Sequence, residues 1–130
     1  MAKSIFAQKI TPDLKITDPK SIDWDHLSFA PIHTAYLGGT VSLNGKPYEP
    51  FEIIPTGSIS LPLSSIVLNY AQSIFEGLKA RVGVDGKIRV FRMQDNAKRL
   101  AQGAKRMLMI PVPENMFQKA VIDLVKANLD

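Results

Sequence analysis

Arg99 is the side chain in this sequence best suited to holding a phosphate group. The apolar spacing predicts a helix beginning at Asp95 or Asn96, with Arg99 in its first turn and facing away from the apolar stripe. A guanidinium is always charged and can bind two phosphate oxygens, and the start of a helix adds free amides. Arg106 shares this face. From the spacing alone, a solvated surface arginine remains the favoured interpretation.

Lys79 is the residue that could serve as a nucleophilic amine, because it lies between the apolar Leu78 and Ala80. A lysine of this kind needs desolvation or a neighbouring cation to lose its proton. Apolar residues alternate from Leu78 onward, which predicts a strand on which Lys79 points away from the apolar face. We therefore interpret Lys79 as a structural or solvated lysine.

The composition predicts neither a metal site nor a disulfide. The chain has no cysteine, and its two histidines, His26 and His33, have no further ligand-type pair at metal spacing near them. No apolar run approaches membrane-spanning length, and the first residues show no secretory or transit signal. We therefore expect a cytoplasmic protein with no metal and no membrane partner.

Basic residues are concentrated in one part of the chain. Residues 79–106 carry nine lysines and arginines against two aspartates, a local charge of +7, whereas the whole chain carries +4. The segment is either a solvated basic face or a place where an anion binds. A nucleic-acid-binding module is a further interpretation, but it needs interleaved aromatic residues and only Phe91 lies inside the segment. We predict no nucleic-acid partner.

The first part of the chain is predicted to be an arm. Residues 1–33 show no lasting period of 2 or 3.6, and we expect them to pack through a few anchors such as Ile5, Phe6 and Trp24. The domain proper is expected over residues 34–130.

Two dipeptides predict tight hairpins. Asn44-Gly45 is expected to join a strand at residues 40–43 to a return strand toward Tyr48, and Asp85-Gly86 is expected to join strands 78–84 and 87–91 in a half-buried ribbon. The pair Gly38-Gly39 is expected to form a bend or bulge, and short strands are expected at residues 51–54 and 59–61.

Three helices are predicted. The first runs from Ser64 or Ser65 to Glu76 and ends at Gly77, and its apolar residues lie on two sides, so one face needs a partner domain, a second subunit or a ligand. The second has its apolar stripe from Ala97 to Leu108, and the third starts at Pro113. The pattern predicts an α+β fold, a two-layer sandwich of an antiparallel sheet with two or three helices.

Three short motifs resemble a known family. Residues 74–80 read Ile-Phe-Glu-Gly-Leu-Lys-Ala, with Val-Phe-Arg at 90–92 and Lys-Arg-Leu at 98–100. They resemble the amino-terminal part of the branched-chain amino-acid aminotransferases, pyridoxal-phosphate enzymes of fold type IV, over residues 61–130. The resemblance implies the small domain of a homodimeric transaminase that moves the amino group of leucine, isoleucine or valine to 2-oxoglutarate, with pyridoxal 5'-phosphate as cofactor.

The resemblance also implies roles for three residues. Arg99 would bind the cofactor phosphate, and Tyr70 and Phe75 would line the hydrophobic substrate pocket, although on pattern alone both are more often core residues. Tyr70 would reach across the dimer interface. The family's Schiff-base lysine lies in a second domain, beyond the matched region. We therefore expect no catalytic residue in this chain, and no activity from it alone.

Some positions depart from the family pattern. Asn69 and Ala71 stand where the family usually has histidine and glycine, and Arg81 stands where it usually has an aromatic residue. These departures put the substrate preference in question more than the cofactor class. Another fold type IV enzyme, such as a D-amino-acid aminotransferase or aminodeoxychorismate lyase, is an alternative. A non-catalytic self-associating domain is another alternative, and its dimers would form independently of pyridoxal phosphate.

Overall fold

Helices and short strand pairs alternate in the fold, which a computed structural model describes for residues 5–129. The helices are α1 (Ile5–Gln8), α2 (Ile66–Tyr70), α3 (Met93–Arg106) and α4 (Glu114–Ala127), with a 3₁₀ turn at Pro19–Ser21. The strands are β1 (Ile10–Thr11), β2 (Tyr36–Gly39), β3 (Glu52–Pro55), β4 (Ser58–Ile59), β5 (Ala80–Val82) and β6 (Ile88–Val90). The predicted α+β class is confirmed.

The strands pair in antiparallel ladders. Across residues 5–129 they form three separate two-stranded sheets, β1 with β4, β2 with β3 and β5 with β6, where the sequence predicted one sheet. Helix α4 packs against α3 and against the β2–β3 ladder. The Asn128 side chain fastens the end of α4 to this ladder, since it accepts from the amide of Tyr36 at 3.0 Å and donates to its carbonyl at 3.1 Å.

The glycine pair belongs to a strand and not to a bend. In β2, Gly38 lies opposite Ile53 and Gly39 lies opposite Glu52. A Cβ at Gly38 would lie 2.1 Å from Cζ of Phe51. The predicted bend or bulge is therefore wrong: these positions stay in the ladder and lack side chains because aromatic rings cover the backbone there.

Both predicted hairpin turns form. Asn44 and Gly45 have φ values of 53° and 74°, and Gly86 has a φ of 72°. The strands that pair across the first turn, β2 and β3, lie farther from the turn along the chain than predicted. Closer to the turn, the amide of Glu49 donates to the carbonyl of Val41 at 2.9 Å. At the second turn all three residues of β5 are exposed, because α4 packs on β2 and β3. The half-buried ribbon was a wrong prediction for the described chain.

Helix α2 is shorter than the sequence predicts. It ends at Tyr70, and Ala71, with a φ of 51°, takes the left-handed capping position that was expected of Gly77. Ser65 is the N-cap residue but forms no side-chain capping bond. The chain leaves the helix because the Gln72 side chain donates to the carbonyl of Met107 at 2.7 Å and Glu76 binds α3. Tertiary contacts outweigh helix propensity here.

The two long helices follow the predicted pattern closely. Helix α3 starts at Met93, two or three residues before the predicted cap, with Arg92 in the left-handed conformation before it. Its Ala97 and Ala104 are buried, whereas Leu108, predicted to be in its apolar stripe, lies past its end and is 92% exposed. Helix α4 starts directly after Pro113, as predicted.

Much of the apolar surface is accessible. Within residues 5–129, Ala97 and Ala104 are the only buried apolar residues. Trp24, a predicted anchor of the arm, is 66% exposed, so that prediction is wrong in the described chain, while Ile5 and Phe6 are half-buried. The arm boundary near residue 33 stays a prediction. None of the helices between residues 5 and 129 has the length and apolar character needed to cross a membrane.

Candidate functional site

Arg99 forms a bidentate ion pair with Glu76. Its Nε donates to Glu76 Oε2 at 2.6 Å, and its Nη2 donates to Glu76 Oε1. The Glu76 side chain is only 3% exposed, whereas the Arg99 side chain is 71% exposed. The buried carboxylate therefore anchors one edge of a guanidinium whose other edge faces solvent.

Further donors complete the surroundings of the Glu76 carboxylate. The Asn96 side chain donates to Oε1 at 2.9 Å, and the amide of Gly77 donates to the same oxygen at 3.0 Å. The Asn96 amide also donates to the carbonyl of Gly77 at 3.1 Å. A buried carboxylate needs such partners, because removing its charge from water unpaired is costly. Together these bonds hold the extended segment after α2 against α3.

The ion pair stays charged over a wide pH range. Hydrogen bonds from Arg99, and then from Asn96, lower the pKa of Glu76 to about 2, against the opposing effect of burial. The hydrogen bond to Glu76 in turn raises the pKa of the Arg99 guanidinium. Arg99 is therefore a fixed positive charge in a fixed orientation at neutral pH.

Arg99 keeps donors for a ligand. A guanidinium has five N–H groups, and Glu76 uses the one on Nε and one on Nη2, which leaves three, two of them on the outer Nη1–Nη2 edge. Within the described chain Nη1 has no hydrogen bond. That edge can bind two oxygens of a phosphate or carboxylate at once.

An open cavity of about 940 Å³ lies beside Arg99. Its walls come from the segment 77–81, from residues 89–92 and from the start of α3. The basic side chains that line it in the described structure are Lys79, Arg81, Arg89, Arg92 and Arg99. The volume suits a small molecule.

Two of these arginines are neutralised locally. Arg89 binds Asp85 through two bonds of 2.7 Å, which lowers the pKa of the Asp85 carboxyl, and Arg92 Nε donates to Asp95 at 2.5 Å. These pairs are exposed and lie on the ribbon and at the start of α3. They leave the positive charge of the cavity mainly to other residues.

The residues predicted to bind ligands are not all in one place. Arg99 lines the cavity, but it lies in the second turn of α3 and not in the first, so it is farther from the free amides than predicted. Tyr70 ends α2 and is 81% exposed, and Phe75 is 91% exposed; neither lines this cavity. Lys79 lines it and is exposed, in agreement with a solvated lysine.

Sequence analysis missed Glu76 as the partner of Arg99, and it missed Asn96 as a second side-chain donor to Glu76. Glu76 lies outside α3, 23 residues before Arg99 and 20 before Asn96, and no local pattern pairs it with either residue. The burial of a lone glutamate before a glycine has no sequence signal. In the part of the chain that the structure covers, no group of three or more acidic, histidine or cysteine side chains could hold a metal ion.

Comparison with known proteins gives a consistent set of relatives. The chain is 39% identical over 114 residues to branched-chain-amino-acid aminotransferase 6 of Arabidopsis thaliana, covering 86% of this chain and 32% of the relative. It is 41% identical over 107 residues to the chloroplastic branched-chain amino acid aminotransferase 2 of Humulus lupulus, covering 82% and 26%.

A bacterial relative agrees with the plant ones. The branched-chain-amino-acid aminotransferase of Helicobacter pylori is 38% identical over 109 residues, covering 84% of this chain and 32% of the relative. No protein-family model matches the chain. The chain thus spans about a third of the length of the curated relatives that it matches.

Proposed function

The chain belongs to the branched-chain-amino-acid aminotransferase family, and from this premise we propose that it is the amino-terminal domain of a pyridoxal-phosphate-dependent transaminase. The intact protein would move the amino group of leucine, isoleucine or valine to 2-oxoglutarate. The observation that carries the proposal is the guanidinium of Arg99, held by Glu76 and open toward a cavity of small-molecule size.

The cofactor's phosphate fits the residues present. Arg99 has two free N–H groups on its outer Nη1–Nη2 edge, and four further basic side chains line the cavity beside it. A dianionic phosphate at this edge would be bound bidentately, while Glu76 keeps the guanidinium from rotating. We therefore propose that Arg99 holds the phosphate and that Glu76 and Asn96 position Arg99.

When bound, pyridoxal phosphate supplies the electron sink for amino-group transfer. The residues of this chain contribute binding and orientation. Lys79 is exposed, and an exposed lysine lacks the desolvation that makes a lysine nucleophilic. We propose that the lysine that binds the cofactor lies in the intact protein outside these 130 residues, and that this chain alone is inactive.

Tyr70 and Phe75 are proposed to contact the substrate. Both are large apolar side chains that the described chain leaves more than four-fifths exposed. A hydrophobic pocket distinguishes branched aliphatic side chains by shape, which fits leucine, isoleucine and valine. The same exposure supports a homodimer, in which a second subunit covers these residues. The cytoplasm is the proposed compartment, in keeping with a cysteine-free chain.

The test is the mass of the intact protein after borohydride reduction, which fixes the cofactor to the lysine that holds it. The expected result is a pyridoxyl-phosphate adduct on a lysine beyond residue 130, and the adduct should persist in Lys79→Arg. An unmodified protein would contradict the proposal. Loss of the adduct in Lys79→Arg would contradict the assignment of the lysine.

Substrate assays separate the alternatives within the fold type. The intact protein is expected to use L-leucine, L-isoleucine and L-valine with 2-oxoglutarate and to leave D-alanine unused. Activity with D-amino acids alone would favour a D-amino-acid aminotransferase. A protein that forms dimers but neither binds pyridoxal phosphate nor transaminates would favour the self-associating domain.

A further inference from the structure

Two cations on the cavity wall have no partner. Arg89, Arg92 and Arg99 are paired with Asp85, Asp95 and Glu76, respectively. Lys79 and Arg81 line the same cavity, yet between residues 5 and 129 they form neither an ion pair nor a side-chain hydrogen bond. The net positive charge of the cavity therefore resides on these two side chains.

The strand register concentrates this charge on one face. Arg81 in β5 lies directly opposite Arg89 in β6. Lys79 lies just before β5 and lines the same cavity as Arg81. Asp85 neutralises Arg89, so the unpaired charge on the cavity side of the ribbon belongs to Lys79 and Arg81.

We propose that Lys79 and Arg81 form an oxyanion subsite, separate from Arg99, for a carboxylate or phosphate group of a small ligand in this cavity. A bound anion would neutralise these two cations, for which the described chain shows no ion pair. The cavity volume of about 940 Å³ suits a small ligand with two anionic groups, one at Arg99 and one at this subsite. The subsite goes beyond the proposed transamination, and its test does not use activity.

The experiment is calorimetric titration of the intact protein with two probes, inorganic phosphate and glutarate, a dicarboxylate. The variants are Arg81→Gln and Lys79→Gln, with Lys87→Gln as the matched control. Lys87 is an exposed lysine of the same ribbon that does not line the cavity. Each subsite variant is expected to lower the affinity of the protein for one of the probes about fivefold or more. Lys87→Gln is expected to change either affinity less than twofold.

The two probes identify the source of the anion. If the variants weaken the binding of glutarate alone, the subsite holds a carboxylate of a dicarboxylic acid. If they weaken the binding of phosphate alone, it holds a phosphate group. No binding of either probe by the intact protein at about 10 mM would overturn the proposal. Equal weakening by all three variants would also overturn it, because it would indicate a diffuse basic face.

A stability measurement excludes a structural role. Because Arg81 is exposed and forms no ion pair or side-chain hydrogen bond in the described chain, Arg81→Gln is expected to leave the melting temperature unchanged. A clear decrease would overturn the subsite, since Arg81 would then act in folding. If the subsite variants bind both probes as the unsubstituted protein does and the pyridoxyl-phosphate adduct forms, the subsite proposal is wrong and the transaminase proposal stands. If the adduct does not form but Arg81→Gln lowers the affinity for a probe, the transaminase proposal is wrong and the subsite proposal stands.

Discussion

Glu76 and Arg99, 23 residues apart in the sequence, form a bidentate ion pair in which the carboxylate is 3% exposed and the guanidinium side chain 71% exposed. The asymmetry matters because a buried carboxylate with an arginine partner fixes that arginine's orientation. The exposed edge of Arg99 is thereby aimed at the adjoining cavity without loss of its charge. The pair links the stability of the fold to the geometry of the candidate site.

Glu76→Gln is expected to change the acid stability of the protein. The folded-state pKa of Glu76, about 2, lies below its ordinary value of 4.5. Ionised Glu76 therefore contributes stability that is fully present above about pH 4.5 and is lost as the pH falls toward 2. The substitution should lower the free energy of unfolding by about 1–3 kcal/mol at pH 7 and flatten its decline in acid.

Urea unfolding between pH 3 and 7 measures this effect. The matched control is Asp85→Asn, which removes the carboxylate of a bidentate but exposed arginine pair and should change stability much less. Parallel pH profiles for Glu76→Gln and the unsubstituted protein would show that Glu76 does not have the lowered pKa.

Arg99→Lys is expected to weaken binding of pyridoxal phosphate to the intact protein. Lysine keeps the charge but cannot bind Glu76 and a phosphate with two parallel bonds each. Loss of about 1.4 kcal/mol of charged hydrogen bonding corresponds to a roughly tenfold higher dissociation constant. Titration of the cofactor absorbance measures it.

Arg106→Lys is the control for this prediction, since Arg106 is an exposed arginine of the same helix that does not line the cavity. It should leave cofactor affinity unchanged. An equal decrease in both variants, or in neither, would argue against a phosphate contact at Arg99.

Phe75→Ser is expected to raise the KM for leucine in the intact protein with a smaller change in kcat. An apolar contact made equally in the bound substrate and the transition state affects binding first. Removing an aromatic contact of about 1–3 kcal/mol corresponds to a roughly 5- to 150-fold change. Val84→Ser, at a fully exposed apolar position on the ribbon, is the control. If Phe75→Ser and the control have the same KM for leucine, Phe75 does not line the substrate pocket.

Gly38→Ala is expected to destabilise the protein by about 1–3 kcal/mol through overpacking. The new Cβ would lie 2.1 Å from Cζ of Phe51, and a ring held against a strand cannot move aside without cost. Denaturant unfolding measures the effect. Combining Gly38→Ala with Phe51→Leu should recover part of the loss, and full additivity of the two substitutions would contradict the contact.

Gly103→Ala is the opposite case within the same protein. A Cβ there would lie 3.7 Å from Cγ2 of Ile74, an ordinary contact, inside helix α3. Alanine is preferred to glycine in a helix, so the variant should be more stable by about 0.5–1 kcal/mol. A destabilised variant would mean that α3 packs more tightly than the structure indicates.

The sequence by itself determined the local features. Asn44-Gly45 and Asp85-Gly86 specify tight turns because few residues adopt positive φ easily. The apolar spacing predicted the positions of α3 and α4, and the α+β class followed from these helices together with the strands before them. The three motifs at residues 74–80, 90–92 and 98–100 were sufficient to indicate the family, since a motif is a property of residue order alone.

Only the tertiary structure decided what depends on distant residues. Helix α2 stops at Tyr70 because the following segment finds partners on and beyond α3, and the glycines of β2 lie under aromatic rings from other parts of the chain. Glu76 meets Arg99 only because that segment crosses α3. Contacts across such separations leave no periodic trace in the sequence, because they depend on how elements pack and not on the order of neighbouring residues.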